Sequence, residues 1–182
     1  MVAHMLDHIA TLAGGCFWCT EAVFKEMAGV SDVRPGFMGG TLAHPSYQQV
    51  CAGGTGHAEV AQFRFDPAII SYAELLDIFF TMHDPTQLNR QGNDVGEHYR
   101  SAIFYHDPEQ MAEAKAAVER AALLWDGEIV TEIAEAGPFW EAENYHRDYF
   151  AHNRDQPYCA AVVAPKLAKA RKMWASKLKP HL

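Results

Sequence analysis

Apolar positions recur along this chain with two periods, about 3.6 residues and 2, and the switches between them mark its elements. His8 to Ala13 (HIATLA) predicts a short strand, turned by Gly14-Gly15. From Phe17 to Ala28 the apolar Phe17, Ala22, Val23 and Met27 return at helical spacing, and Gly29 stops the run. Val30 to Met38 predicts a second strand, bent or at an edge because Pro35 has no amide proton to give a ladder. His57 to Phe65 alternates: Glu59, Ala61, Phe63 and Phe65 share one face, and Ala58, Val60, Gln62 and Arg64 the other. Ser71-Tyr72-Ala73-Glu74 is a capping box that opens a helix to about His83. Tyr99 to Tyr105 predicts a strand, and Asp107-Pro108 a cap and first turn of a helix to about Leu124. Ile129 to Ala134 predicts the last strand, and aromatic residues then crowd Phe139 to Tyr158 around a helix at about Glu143 to His152. Two stretches without a period, Gly39 to Gly56 and Asp84 to His98, read as long loops, and long loops in compact domains are often functional.

From His8 to Tyr105 the order is strand, helix, strand, strand, helix, strand. It predicts an α+β fold, a two-layer α/β sandwich of the ferredoxin-like split βαβ type. At 182 residues the chain is read as a single catalytic domain, residues 1–182, with a C-terminal segment from about 139 wrapping the core. The net charge of −8 argues against nucleic acid and anionic membrane as partners. The basic tail, Lys166 to Lys179, reads as one solvated helix face. No apolar run approaches the ~18 residues of a membrane span. The start, MVAHMLDHIATL, lacks a signal peptide's basic opening and long apolar run, which favours the cytoplasm.

Four cysteines, Cys16, Cys19, Cys51 and Cys159, are too few and too scattered for a disulfide scaffold. In a reducing compartment they are free thiols, metal ligands or redox participants. Cys51 and Cys159 stand alone, and no HExxH occurs, so no zinc site is expected. The stretch GGCFWCTE places Cys16 where a strand ends and a helix begins, and free amides and the positive dipole end favour a thiolate there. Cys19, a turn further in, fits equally a small core residue. Glu59 is the odd member of an apolar face. If it is buried without a partner its carboxyl stays protonated, and a neutral carboxyl near a sulfur nucleophile is a general acid. A salt bridge or a strand end turned to water would equally place it. Tyr47, Tyr99 and Asp94, in the two loops, could supply polar contacts or simply pack and turn the chain.

Taken together, the motifs resemble the A-type peptide methionine sulfoxide reductases over about Ile9 to Lys172. The resemblance rests on Gly15-Cys16-Phe17-Trp18, Pro45-Ser46-Tyr47 with Val50-Cys51, Gly56-His57-Ala58-Glu59, His83-Asp84-Pro85, Arg90-Gln91-Gly92-Asn93-Asp94, Tyr99-Arg100-Ser101-Ala102-Ile103, and Tyr145-His146 through Tyr158-Cys159. It implies that Cys16 is the nucleophile, that Glu59 protonates the sulfoxide oxygen, that Tyr47 and Tyr99 hydrogen-bond it, and that Asp94 supports the polar side. Phe17 and Trp18 would cup the substrate methyl, with Tyr149 a further pocket residue. Cys159 would be the resolving cysteine, in competition or relay with Cys19, which stands where many relatives carry glycine. Phe37-Met38 and Arg154 are milder departures.

The resemblance further implies reduction of the S epimer of methionine sulfoxide, free or in peptides and proteins, through a sulfenic acid and a disulfide reset by thioredoxin. It implies a monomer with no metal or organic cofactor. A thioredoxin-like dithiol oxidoreductase would share the Cys-x-x-Cys but leaves GHAE and GND without a purpose. A module that binds oxidised side chains without turnover would tolerate loss of Cys16.

Overall fold

The computed structural model describes residues 8–180; the first seven residues of MVAHMLDHIATL, the stretch expected to lack a signal peptide, lie outside them. The fold is α+β, built on a six-stranded mixed sheet. β1 (His8–Gly14) lies at its centre, antiparallel to both β3 (Ala58–Phe65) and β6 (Ser101–Tyr105). β2 (Val30–Met38) pairs with the far side of β3, so the β1–helix–β2 connection leaves room for β3 between its strands. The ladder of β2 is irregular between Ser31 and Arg34, just before Pro35.

Helices α1 (Phe17–Lys25), α3 (Tyr72–Met82), α4 (Pro108–Ala122) and α6 (Ala164–Met173) bury their apolar stripes against one face of the sheet. Leu12, Phe63, Phe24 and Phe79 meet there, and each is fully buried. The other face carries Ala13, Met38, Val60 and Phe104, covered by Phe139, Ala134 and Ala136 rather than by a helix. The alternation of β3 thus feeds two cores at once, and Glu59 belongs in phase with the helix side.

Several elements depart from the sequence expectation. α1 ends at Lys25, and Met27 is drawn into an isolated bridge with Leu178. The first long loop contains α2 (Tyr47–Ala52), closed by a full capping box between Ser46 and Gln49. The second contains a two-residue hairpin, β4 (Arg90–Gln91) and β5 (Asp94–Val95), and a 3-10 turn at Glu97–Tyr99. The last predicted strand shifts to β7 (Glu132–Glu135), parallel to β6, and β8 (Trp140–Glu141) adds an edge beside β2.

The helix expected at Glu143 to His152 is broken in two, a 3-10 turn at Asn144–His146 and the single turn α5 (Tyr149–His152). Asp148 sits between them in the left-handed region at φ 55°, which ends any continuous helix. The basic tail is stitched to the body as well as solvated: Arg171 pairs with Glu26, Lys177 with Glu74, and the Lys177 carbonyl accepts from the Ala28 amide at 2.7 Å. No helix among the described residues is long and apolar enough to cross a membrane.

Candidate active site

The site is assembled at the N-terminus of α1. Gly15 turns the chain there at φ 92°, and a Cβ would stand 2.8 Å from the Gln91 side chain, so both backbone and space demand glycine. Gln91 is itself pinned, donating to the Asp84 carbonyl and accepting from the Asp84 amide. The turn delivers Cys16 to the cap position of α1, where its carbonyl accepts from the Cys19 amide at 3.0 Å. The next amide, that of Phe17, donates to Glu59 Oε1 at 3.1 Å. Helix start and central strand are thereby locked with a carboxyl beside the sulfur.

Glu59 is 1 % exposed, and its Oε2 has no partner among the described residues. Burial pushes its carboxyl up to about 8, partly opposed by the Phe17 amide and reinforced by the charges of Asp94 and Cys19. It is therefore neutral at pH 7. Cys16 departs from its sequence expectation. Burial drives its thiol well above the ordinary value, its hydrogen bond to Cys19 and the Glu59 charge add to that, and the Trp18 amide only partly offsets it. A helix start favours a thiolate, but desolvation at a sulfur 5 % exposed is the larger effect.

The phenols of Tyr47, at the head of α2, and Tyr99 are both held up first by burial and then by the Glu59 charge, so both remain donors. Tyr47 stacks at 6.0 Å on Phe17, and its amide donates to Glu143 in the C-terminal segment. Asp94, on β5, accepts from the Tyr158 hydroxyl at 2.6 Å. Trp18 lies flat on Tyr149, with ring centroids 3.7 Å apart, and its Nε1 donates to His146 Nδ1. Phe17 is fully buried against Phe37, so it forms the floor beneath the aromatic cluster.

Cys19 and Cys159 both lie at the site and both are fully buried. Interaction with the Cys16 thiol is the main cause of a lowered Cys19 thiol, opposed by burial, with Lys166 and Tyr158 helping. Cys159 opens a π-helical turn, Cys159–Val163, that runs into α6, and after burial its thiol is raised by the charge of Cys19. The charge of Cys19 thus reaches both Cys16 and Cys159.

Three residues of the site lie outside the sequence expectation. Tyr158 packs edge-on against Trp18, lowers the Cys19 thiol, and is itself held up by burial and then by the charges of Cys16 and Cys19; its place next to Cys159 in an aromatic segment is the signal that points to it. His146 is the second, buried among Trp18, Tyr47 and Phe17. Cys51 is the third: solitary in sequence, it meets Glu59 and His98 in space, their ligand atoms all within 4.8 Å of one another. Two motif residues prove to be ties. His57 accepts from the Gly40 amide and donates to the Leu42 carbonyl, and Arg100 donates to the Gly56 carbonyl, so the loop that leads into β3 is braced within itself and to the segment before β6.

The sequence pattern of the family "Peptide methionine sulfoxide reductase" matches residues 8–178. The peptide methionine sulfoxide reductase MsrA of Thermus thermophilus is 53% identical over 176 residues, 97% of this chain and 100% of that protein. Among solved structures, Mxr1 from Saccharomyces cerevisiae in reduced form superposes with a TM-score of 0.78 at 35% identity, covering 86% of this chain and 90% of that one. Mxr1 in complex with Trx2 superposes at 0.54 with 26% identity, covering 79% and 84%. With its motifs gathered around one buried thiol and matched over nearly its whole length, this chain belongs to the peptide methionine sulfoxide reductase family.

Proposed function

We propose that this protein reduces the S epimer of methionine sulfoxide with Cys16 as nucleophile and Glu59 as acid. The observation that carries the assignment is the neutral, buried Glu59 carboxyl held by the Phe17 amide beside Cys16, with Oε2 left to meet an incoming oxygen. The Cys16 sulfur attacks the sulfoxide sulfur, the S–O bond lengthens, and its oxygen takes a proton from Glu59 while Tyr47 and Tyr99 donate to it. In sum, the thiol and the sulfoxide become a Cys16 sulfenic acid and methionine, and the Cys16 proton restores Glu59. Trp18 and Tyr149, with the fully buried Phe17 beneath them, offer the methyl group an aromatic surface, and sulfur–aromatic contact favours it there.

A second thiol then expels water from the sulfenic acid to form a disulfide. The one-turn separation of Cys16 and Cys19 and the interaction of their thiols support Cys19 as the first partner, with Cys159 attacking Cys19 next and freeing Cys16. A dithiol of the thioredoxin class takes the disulfide by exchange, in keeping with the solved complex of Mxr1 with Trx2. A cycle that starts from free thiols belongs in a reducing compartment, the cytoplasm. Residues 8–180 act as one catalytic unit and as a monomer, on free or protein-bound sulfoxide. The strand order β6-β1-β3-β2 supports the ferredoxin-like plait as the scaffold.

Single-turnover reduction of a methionine sulfoxide peptide tests the assignment. Cys16→Ser abolishes product, and Glu59→Gln slows the step by about 10²-fold or more. Normal single-turnover rates in the glutamine variant would remove Glu59 from the chemistry.

A further inference from the structure

Cys51, Glu59 and His98 come from three separate elements, α2, β3 and the 3-10 turn before β6, yet their ligand atoms lie within 4.8 Å of one another. A thiol, an imidazole and a carboxylate are the donor set of a zinc-class cation; calcium or magnesium would call for oxygens. Around a tetrahedral zinc ion such donors stand about 3.4–3.7 Å apart, so closing the site takes a movement of about 1 Å. Cys51 can make it, because it sits exposed on a six-residue helix. The two others are fixed: Glu59 is 1 % and His98 6 % exposed. Glu59 Oε1 is taken by the Phe17 amide, while Oε2 is buried with no partner among the described residues. His98 is held against Tyr99 at 3.9 Å between ring centroids and against Gly96, where a Cβ would come within 2.6 Å of the imidazole.

We propose that the reduced protein binds one zinc-class divalent cation through Cys51, Glu59 and His98, with the fourth position open to water. The ion replaces two protons, one from the Cys51 thiol and one from the Glu59 carboxyl, and both go to solvent. Binding stands on this geometry alone. Its consequence rests on Glu59 as the acid: with that carboxyl serving as a ligand, no proton is available for the sulfoxide oxygen, and zinc blocks the reductase step.

Competition for Zn2+ against a chromophoric chelator, on the full reduced chain, tests the site. Cys51→Ser and His98→Gln each weaken binding at least about tenfold, while Cys19→Ser leaves it unchanged. With Co2+ as the probe, the wild type shows a thiolate-to-metal charge-transfer band that Cys51→Ser removes and Cys19→Ser retains. Equal affinity in wild type, Cys51→Ser and His98→Gln overturns the proposal, as does loss of the ion from Cys19→Ser, which would place it on the Cys16–Cys19 pair. Each protein's rate is compared with and without zinc: the wild type is inhibited, and His98→Gln, checked for intact circular dichroism, is not. Zinc bound at this trio without inhibition would leave the site standing and overturn the role of Glu59 instead.

Discussion

Two acids share the pocket of the nucleophile, and the order in which they ionise sets the response to pH. Glu59 titrates at about 8, whereas Cys16 is raised well above its ordinary value and keeps its proton longer. A general acid must hold its proton before it can deliver it. The single-turnover rate is therefore expected to be level up to neutrality and to fall as pH rises past about 8. The residual rate of Glu59→Gln should lack that fall; the same inflection in the glutamine variant would assign the titration to another group. The position of Glu59 is legible in sequence, because strict alternation sets it in phase with Ala61, Phe63 and Phe65, all of which are buried. The ionisation of Cys16 is not. A helix start announces its dipole locally, but the burial that overrides it depends on the fold of the whole chain.

At the scale of elements, legibility follows length. β1, β2, β3, α3 and α4 carry enough periodic positions to declare themselves, whereas α2 buries one residue, Val50, and β8 is two residues long. The signal for α2 was nevertheless present in Ser46-Tyr47-Gln48-Gln49, the same capping box that announces α3 at Ser71. β8 has no local signal, since what creates it is a gap on its neighbour. Gly36 lies opposite Glu141, and a Cβ there would stand 2.4 Å from the Phe139 ring and 2.5 Å from the Trp140 carbonyl oxygen. Gly36→Ala should push β8 off the sheet, lowering stability by about 1–3 kcal/mol in urea unfolding. The damage should spread to the site, because β8 leads into Glu143, which accepts from the Tyr47 amide, and His146, which accepts from Trp18. KM for a sulfoxide peptide should rise more than kcat falls. An unchanged KM at reduced stability would mean that the C-terminal segment keeps its place without β8.

Across the whole molecule, the C-terminal segment performs two tasks that conflict. It packs on the site, with Tyr149 on Trp18 and Tyr158 bonded to Asp94, and it carries Cys159, which in the proposed cycle hands a disulfide to an external dithiol. Yet Cys159 is fully buried in the reduced protein, behind Cys19 in the sequence of interacting sulfurs. An internal relay resolves the conflict. Cys16 and Cys19 stand one helical turn apart and their thiols interact, so on this proposal the sulfenic acid is closed without disturbing the segment. In the proposed relay, exchange from Cys19 to Cys159 then moves the disulfide onto the C-terminal segment and returns Cys16 to the thiol state. Rapid mixing with one equivalent of sulfoxide, alkylation of free thiols and peptide mapping should find the Cys16–Cys19 disulfide first and Cys19–Cys159 later. Cys159→Ser should stop at the first of these after one methionine per enzyme, whereas Cys19→Ser should accumulate sulfenic acid before any disulfide forms. A Cys16–Cys159 disulfide preceding every other species would show that the segment rearranges before resolution, and that Cys19 is only a packed core residue.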